Sequence, residues 1–313
     1  MDVLHGLPAP PAPTEGSAVT IGFFDGVHLG HRAVLERTVE RARERSLRSV
    51  AITFDRHPRE ILTPDAVPRL LTTLERKIAL IERTGIESLV VLPFTRDLAD
   101  RSAEWFVDEV LVRALATRHA VVGSNFTFGH RALGTVEVLR RLGERLGFSV
   151  EDPGMLEIDG RAVSSSSIRT ALTEGDLEWP RRALGRRYTV EGRVGRGAGR
   201  GADLGYPTAN LQTEPRLLLP RQGIYAGIAQ AEVGHHAAAI DVGTNPQFGV
   251  EPLHVEAFLL DFEGDLRHRE LVVEFWERLR DEVTFGSVEE LTAAIGADVE
   301  RTRSIVKLAE RAV

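Results

Sequence analysis

The chain has 313 residues, of which 42% are hydrophobic and 27% charged, so it is long enough for two domains with sizeable cores. Its net charge of -7 argues against a nucleic-acid partner, because proteins that bind nucleic acid usually carry a basic face. It has no cysteine, which excludes disulfides and cysteine-bound zinc, and no apolar stretch of the roughly 18 residues that a membrane span needs, so we expect a cytoplasmic enzyme without a membrane partner.

The first half of the chain alternates strand-like and helix-like segments. Residues 1–17, rich in proline and alanine, are expected to form a flexible lead-in. Strands are predicted over 18–23, 49–54, 88–93 and 119–123, and helices over 73–84, 102–115 and 135–146. This alternation predicts a Rossmann-like α/β domain with a parallel sheet over residues 18–185. Ligands of such sheets lie beyond the carboxyl ends of the strands, so the loops after Phe23, Phe54 and Gly123 should line a pocket.

The pattern changes after residue 184. Short strand-like runs without long helices between them, punctuated by Gly and Pro, cover 188–194, 223–230, 237–242, 254–262 and 271–275. They predict an antiparallel β-barrel or sandwich. An amphipathic helix over 287–308 closes this second domain, which we expect to span residues 186–313.

Two histidines lie where the first strand meets a helix N-terminus, in the segment Gly22–His31. Unpaired backbone N–H groups and the positive end of the helix dipole suit a polyphosphate at this position. His28 and His31 can donate hydrogen bonds to charge that develops during phosphoryl transfer, and Gly30 allows a close approach. A lone pair of histidines at this spacing is more often an ordinary helix entry, and a metal site is a weaker alternative.

The segment Val163–Arg169 places four consecutive serines before an arginine. Hydroxyl and backbone N–H groups at a helix start can cradle a phosphate, and Arg169 can bind it with two N–H groups. Serine also favours helix N-termini for structural reasons, so taken alone the segment supports both interpretations equally. Together with the histidine pair it matches the pattern of a nucleotidyltransferase.

Four strings in order resemble the FMN adenylyltransferase module of the bacterial bifunctional riboflavin kinase/FAD synthetase family: Thr20–His31, Thr53–Glu60, Gly123–His130 and Val163–Arg169. The resemblance implies that His28, His31 and Arg169 stabilise the triphosphate while the FMN phosphate attacks it. It implies contacts with ATP or its phosphates for Gly22, Phe24, Asp25, Gly30, Ser165 and Ser166. It also implies a place near the flavin for His57 and Asn125.

Two positions depart from the usual pattern of this module. Ser166 stands where threonine is common, which keeps the hydroxyl group. Thr127 stands where arginine is common, which removes a positive charge that could hold the flavin phosphate. The turn at His57 is equally typical of a purely structural role.

A glycine-rich stretch, Gly192–Gly201, leads into Pro207-Thr208-Ala209-Asn210. The absence of a following helix argues against a dinucleotide fold, and the chain has no P-loop. Thr208 and Asn210 are two positions apart on an extended segment, so they share a side, and their neutral oxygens suit Mg²⁺. In isolation they are more typical of a turn. Backbone amides and arginine of the stretch could wrap phosphates, which makes candidates of Gly197, Gly199 and Arg200.

Glu256 lies within an apolar alternating strand. A desolvated glutamate beside a cation is a good candidate base for a hydroxyl group. A polar residue on a solvent-facing edge is the equally weighted alternative.

The second half of the chain resembles the riboflavin kinase module of the same family, over Tyr188–Leu211, Gly223–Ala226, Val242–Pro246, Val255–Phe262 and 279–285. The resemblance implies that Thr208 and Asn210 bind Mg²⁺ with ATP, that Glu256 takes the proton from the riboflavin 5′-hydroxyl, and that the glycine-rich loop covers the phosphates. Gln247, in place of threonine, and Arg267-His268, in place of Tyr-Gly, depart from the pattern. They lie near the flavin or merely change a turn.

The whole resemblance implies an enzyme that phosphorylates riboflavin to FMN and adenylylates FMN to FAD. Its partners would be riboflavin, FMN, FAD and ATP with Mg²⁺, and we expect a monomer or weak homo-oligomer. One alternative is a paralogue with a single active module or a flavin analogue as substrate. Another is a non-catalytic flavin-binding regulator, which would not need the phosphoryl-transfer residues that this chain retains.

Overall fold

Two compact units follow one another in the computed structural model, Met1–Ser165 and Ser166–Val313. The structure describes residues 1–9, 16–196, 201, 204–232, 234–244 and 253–310. The contacts divide the chain earlier than the boundary expected near residue 185. Backbone and side-chain contacts of the intervening segment explain this: the Arg221 N–H donates to the Leu172 carbonyl at 2.9 Å, and Gly175 lies against the Arg278 side chain.

A six-stranded parallel sheet forms the centre of the first unit, with strand order β1-β4-β3-β2-β5-β8. Its strands are β1 (Asp2–His5), β2 (Ser17–Ile21), β3 (Arg48–Phe54), β4 (Ser88–Leu92), β5 (Thr117–Val121) and β8 (Ser149–Glu151). Fully buried β2 and β4 each begin with a serine and otherwise consist of apolar and β-branched residues, as expected where helices cover both faces. The predicted parallel sheet is confirmed.

The start of the chain differs from its expected state. Asp2–His5 forms β1, which pairs in parallel with β4 from Asp2 opposite Ser88 to His5 opposite Val91. The expectation of a flexible lead-in is therefore wrong for these residues. This edge strand has four mostly exposed residues without alternation of apolar and polar side chains, so its sequence does not predict a strand. Residues 10–15 of that expected segment lie outside the described residues.

Helices cover both faces of this sheet, and their starts follow the expected capping chemistry. The hydroxyls of Thr73, Ser102 and Thr135 accept the backbone N–H three residues further on, so each caps the helix that follows it. The helices are α1 (Leu29–Glu44), α2 (Arg59–Leu62), α3 (Leu74–Glu82), α4 (Arg96–Asp100), α5 (Ala103–Trp105, continued as a π-helix over Phe106–Ala114) and α6 (Val136–Leu146). Two short hairpins complete the unit, β6 (Thr127–Phe128) with β7 (Gly134–Thr135) and β9 (Glu157–Ile158) with β10 (Arg161–Ala162).

A closed antiparallel barrel forms the second unit, with strand order β11-β12-β15-β14-β13-β16. Of the two architectures expected, the barrel is the one found. Its strands are β11 (Thr189–Gly195), β12 (Ala209–Thr213), β13 (Gly223–Ala231), β14 (Gly234–Gly243), β15 (His254–Leu259) and β16 (Glu270–Arg280). Helices α7 (Ser165–Glu174) and α8 (Glu178–Leu184) precede it, and α9 (Val288–Glu310) follows it.

Side chains alternate between the inside and the outside of the barrel. Tyr225, Ile240 and Ala257 belong to one inward row that crosses β13, β14 and β15, and each is fully buried. Residues between them in sequence form an outward row, which carries polar groups. Within the described part of the chain, no helix is long and apolar enough to cross a membrane.

Candidate active sites

The loop after β2 brings the two predicted imidazoles together. His28 precedes α1 and caps it, since its Nδ1 accepts the His31 backbone N–H at 3.2 Å. The two rings stack with centroids 3.6 Å apart, and the Phe24 ring meets His31 edge-on at 5.3 Å. Because Nδ1 of His28 is an acceptor, Nε2 carries the hydrogen in the neutral ring and can donate to a ligand.

Two glycines make room for this arrangement. A Cβ at Gly22 would lie 2.7 Å from the Phe24 ring, and a Cβ at Gly30 would lie 3.2 Å from the His28 ring. The loop itself contains left-handed backbone at Phe24, with φ of 54°. A larger residue at either glycine would displace an aromatic ring next to the imidazole pair.

Asp25 holds the loop in place through buried hydrogen bonds. Its carboxylate accepts the backbone N–H of Leu71 at 2.9 Å and that of Thr72 at 3.2 Å, and the side chain is 3% exposed. The Thr72 hydroxyl in turn accepts the Gly26 N–H at 3.1 Å. These bonds give Asp25 a positioning role, and the contact with ATP implied for it remains a prediction.

A buried ammonium ties the same loop to the neighbouring strand. Lys77 Nζ on α3 donates to the carbonyls of Phe23 and Phe54, both at 3.1 Å, and lies 4.1 Å from the centre of the Phe23 ring. Burial lowers the pKa of Lys77 to about 8, although Asp25 and Asp55 partly oppose this effect. The sequence analysis missed Lys77, because a single lysine in an amphipathic helix is normally solvent-exposed.

The serine-rich turn lies beside the imidazole loop. Ser165 Oγ donates to the Asp25 carbonyl at 3.0 Å, and a Cβ at Gly30 would lie 3.5 Å from the Val163 carbonyl. Ser165 and Ser166 begin α7, and Arg169 lies four residues after Ser165, one turn along the same helix face. Ser165, the last residue of the first unit, therefore adjoins the loop that carries His28 and His31, and the phosphate contacts implied for Ser166 and Arg169 remain predictions.

A cavity of about 590 Å³ opens at the carboxyl ends of the strands of the first unit. Phe54 and Phe94 meet edge-on at 5.3 Å, and Phe126 and Phe128 stack at 5.3 Å. Its other lining residues include Ile21, Pro58, Leu62, Arg96, Thr127, His130 and Arg131. Of the three loops expected to line a pocket, those after Phe54 and Gly123 do so, whereas no residue of the loop after Phe23 is among the described residues that line this cavity. The aromatic walls suit a planar ring system.

The two residues expected near the flavin flank this cavity and do not line it. His57 Nδ1 accepts the Arg59 N–H at 3.1 Å, and the His57 N–H donates to Glu60 at 2.5 Å. These bonds fix the turn before α2, which favours the structural interpretation of His57. Asn125 is exposed, next to the lining residue Phe126. Both placements near a flavin remain predictions.

Sequence reasoning missed the side chains that do line the cavity. Phe94 and Phe126 each follow a buried strand by a few residues. Aromatic residues after two parallel strands could therefore have indicated the walls of a ligand cavity. Arg96 and Arg131 add positive charge to a wall that also includes Thr127. The cavity therefore still has positively charged side chains, although threonine stands where arginine is common at position 127.

Polar residues of the barrel form a single row across its outer face. Asn210 lies opposite Glu256, Glu256 opposite Asp241, Asp241 opposite Ile224, and Ile224 opposite Arg280. Directly opposed residues of antiparallel strands have Cβ atoms about 5 Å apart and point to one side. The row therefore extends from β12 to β16 as one continuous surface.

Thr208 and Glu256 meet at one end of this row. The Thr208 hydroxyl donates to Glu256 Oε2 at 2.8 Å, and His254 Nε2 lies 3.6 Å from Glu256 Oε1. The Glu256 side chain is 30% exposed and alternates with the buried residues Val255 and Ala257. Glu256 therefore points away from the barrel interior and is partly desolvated, and its role as a base remains a prediction.

The donor atoms at this end of the row fit a magnesium ion. Thr208 contacts Glu256 and Asn210 lies opposite Glu256, so the neutral oxygens of Thr208 and Asn210 belong to one end of the row, and oxygen is the ligand that Mg²⁺ prefers. Among the described residues, no three or more His, Cys, Asp or Glu side chains group as a metal site. Few protein ligands are typical of Mg²⁺ that also binds substrate phosphates.

A second cavity, of about 520 Å³, opens at the other end of the row. Ile224, Asp241 and Arg280 line it from the row, and Arg280 is held by Asp298 of α9 at 2.7 Å. Its remaining walls come from the segment after β16 and from α9, namely Glu282, Val283, Phe285, Gly286, Ser287, Val288, Leu291 and Ile295. The mostly apolar walls again suit a planar ring.

The remaining candidates of the barrel unit have separate outcomes. Gly197, Gly199, Arg200 and Gln247 lie outside the described residues. Arg267 is exposed and pairs with Asp265 at 2.6 Å, and the His268 N–H donates to the Val194 carbonyl at 2.8 Å. Arg267-His268 thus forms an exposed turn, and neither residue lines the cavity.

The fold and the two constellations define a two-module transferase, with a nucleotidyltransferase-like α/β half and a β-barrel kinase half. The family model described as FAD synthetase matches residues 11–167, and the one described as riboflavin kinase matches residues 184–306. The chain belongs to the bifunctional riboflavin kinase/FMN adenylyltransferase family. It is therefore an ATP-using enzyme of FMN and FAD biosynthesis.

Relatives over the full length agree with this assignment. The bifunctional riboflavin kinase/FMN adenylyltransferase of Pseudomonas fluorescens is 38% identical over 97% of this chain and 98% of its own length. That of Escherichia coli (strain K12) is 32% identical over 96% of each chain. A crystal structure described as a macrolide-efflux protein from Streptococcus pneumoniae matches with a TM-score of 0.86 at 28% identity, over 97% of this chain and 99% of that one.

Proposed function

We propose that the outer-face row of the barrel phosphorylates riboflavin and that the loop of His28 and His31 adenylylates FMN. The observation that carries this proposal is that each half of the chain contains a polar constellation and a ligand-sized cavity, of about 590 Å³ in the α/β half and about 520 Å³ in the barrel half. Both steps consume ATP, which supports the expected cytoplasmic location.

In the kinase half, the flavin ring would occupy the cavity between Ile224 and α9, with its ribityl chain along the row towards Glu256. Glu256 would accept the proton of the 5′-hydroxyl, the freed oxygen would attack the γ-phosphorus of ATP, and ADP would leave. Thr208 and Asn210 would hold Mg²⁺, which neutralises phosphate charge when bound. The Thr208–Glu256 contact of 2.8 Å supports this, because it brings the base within reach of the metal ligands.

In the α/β half, the flavin of FMN would occupy the aromatic cavity. An oxygen of its phosphate would attack the α-phosphorus of ATP, and pyrophosphate would leave. His28 and His31 would donate hydrogen bonds to the phosphate oxygens, together with the N-terminal amides of α1. Ser165, Ser166 and Arg169 would bind the leaving pyrophosphate, and the contact of Ser165 with the loop supports this grouping.

Product chromatography tests both assignments. Riboflavin with ATP and Mg²⁺ is expected to give FMN and then FAD, and FMN with ATP is expected to give FAD directly. Accumulation of FMN without FAD, or FAD only from supplied FMN, would instead indicate one active module. The exposed position of Arg267 and its pairing with Asp265 support riboflavin over a flavin analogue as substrate. Binding of flavin without any turnover would contradict the proposal and support a regulator.

A further inference from the structure

Asp241 is a carboxyl group in the kinase half that the mechanism above does not use. It lies in the middle of the outer row, opposite Glu256 on one side and Ile224 on the other. Its side chain lines the cavity of about 520 Å³. Oδ1 is buried and has no hydrogen-bond partner among the residues that the structure describes. A buried polar atom without a partner is costly, so a ligand that supplies one gains affinity.

The groups around Asp241 are mainly negative. A Cβ at Gly243 would lie 3.1 Å from both Asp241 Oδ1 and Glu282 Oε2, which shows how close these two carboxyl groups are. Glu256 on β15 and Asp298 on α9 add further negative charge, and Arg280 on β16 opposes it. Arg280 is engaged by Asp298 through two guanidinium nitrogens, at 3.0 and 2.7 Å. Asp298 therefore compensates much of the positive charge of Arg280, which weakens the attraction between Arg280 and Asp241.

Burial, followed by the charges of Glu282 and Glu256, raises the pKa of Asp241 to about 7. A substantial fraction of the side chain is therefore protonated at neutral pH. In that form the carboxyl group can donate a hydrogen bond, which an ionised carboxylate cannot do. Burial of Oδ1 limits the competition of solvent for that donor.

We propose that Asp241 is a specificity-determining residue of the kinase site, whose protonated carboxyl donates a hydrogen bond to an acceptor atom on the flavin ring. This inference rests on the proposed function, because it takes the cavity as the site of the ring. The flavin heterocycle carries carbonyl oxygens and ring nitrogens along one edge, whereas its opposite edge is apolar. Among the described residues that line the cavity, Asp241 has the buried polar atom without a hydrogen-bond partner, so it would set which edge faces inward.

The test measures riboflavin binding by fluorescence quenching, without ATP, between pH 6 and 8.5. Below its folded pKa Asp241 is protonated and donates, and above it the ionised group repels acceptor atoms, so wild-type affinity should fall about tenfold over this range. Asp241→Asn keeps a donor of the same shape that does not titrate, so its affinity should change less than twofold. Asp241→Leu should bind about tenfold more weakly than wild type at pH 6.

Two further variants separate Asp241 from its surroundings. Glu282→Gln removes a nearby carboxylate and so lowers the pKa of Asp241. The affinity for riboflavin should therefore be lost at a lower pH than in the wild type. Asp265→Asn, in the exposed turn after β15, is the matched control and should follow the wild-type profile. Circular dichroism checks that each variant is folded, and Asp241→Asn remains decisive if Asp241→Leu does not fold.

A wild-type pH dependence that persists unchanged in Asp241→Asn would overturn the inference. So would equal affinity of wild type and Asp241→Leu at pH 6. FMN production by the wild-type enzyme reports separately on the proposed function. If FMN forms while the Asp241 variants bind riboflavin normally, the role of Asp241 fails alone. If riboflavin binds with the expected profile but no FMN forms, the proposed reaction fails and the binding role stands.

Discussion

The two candidate sites are positioned by different means. In the α/β half, a loop with left-handed backbone is held by the buried carboxylate of Asp25 and the buried ammonium of Lys77, both through contacts far apart in sequence. In the barrel half, Asn210 and Glu256 are neighbours because β12 and β15 pair in register. The first site should therefore respond to substitutions at remote supporting residues. The second should depend mainly on the strands that carry it.

Glu256→Gln is expected to have the largest effect of the substitutions outside the cavity walls. It removes the base and disturbs the bond with Thr208, so kcat for FMN formation should fall at least about 10³-fold. Adenylylation of supplied FMN should be unchanged. Glu270→Gln, on the exposed start of β16, is the matched control. Loss of both activities in a folded variant would contradict the assignment of one reaction to each half.

His31→Ala should produce the reverse pattern. It removes one donor to the transferring phosphoryl group and one ring of the stacked pair, so FAD formation should fall about 10²- to 10³-fold. FMN formation from riboflavin should be retained. His5→Ala, an exposed histidine on β1, is the control in the same half. A variant that still makes FAD at the wild-type rate would show that the imidazole pair is only a helix entry.

The sequence predicts local features of the fold and of the two sites, but not the features that depend on contacts distant in sequence. Local patterns sufficed for the helix starts at Thr73 and Ser102, which lie within one residue of the observed starts, and for singling out the histidine pair before α1. The role of Asp25 could not be foreseen, because its partners are Leu71 and Thr72 and no local rule links them. The outer row could not be foreseen either. It exists only because six strands close into a barrel with one particular register, which aligns residues from five of them.

Lys77→Met tests the dependence of the first site on remote support. Because folding lowers the pKa of Lys77 from its usual 10.5 to about 8, the unfolded chain binds the proton more tightly. Stability of the wild type should therefore rise with pH above 8, by about 2 kcal/mol between pH 8 and 10 relative to Lys77→Met. Urea unfolding at both pH values measures this difference. FAD formation should also fall about tenfold, since the carbonyls of Phe23 and Phe54 lose their shared donor.

The chain offers a natural control for that substitution. Its only other lysine is Lys307, which is exposed on α9. Lys307→Met should leave the pH dependence of unfolding and both activities as in the wild type. A wild-type stability that does not rise relative to Lys77→Met would mean that Lys77 stays charged in the folded protein. Its bonds to the two carbonyls would then be ordinary surface-like contacts.

His268→Gly should give the smallest effect and tests whether the turn at Arg267-His268 belongs to the kinase site. His268 has left-handed backbone, with φ of 66°, which glycine adopts at no steric cost. The substitution should stabilise the protein by about 0.5–1 kcal/mol and leave kcat/KM for riboflavin within twofold. His268→Ala keeps the strain and should give no gain in thermal unfolding. A several-fold rise in the riboflavin KM would place the turn at the flavin and restore the case for an altered substrate.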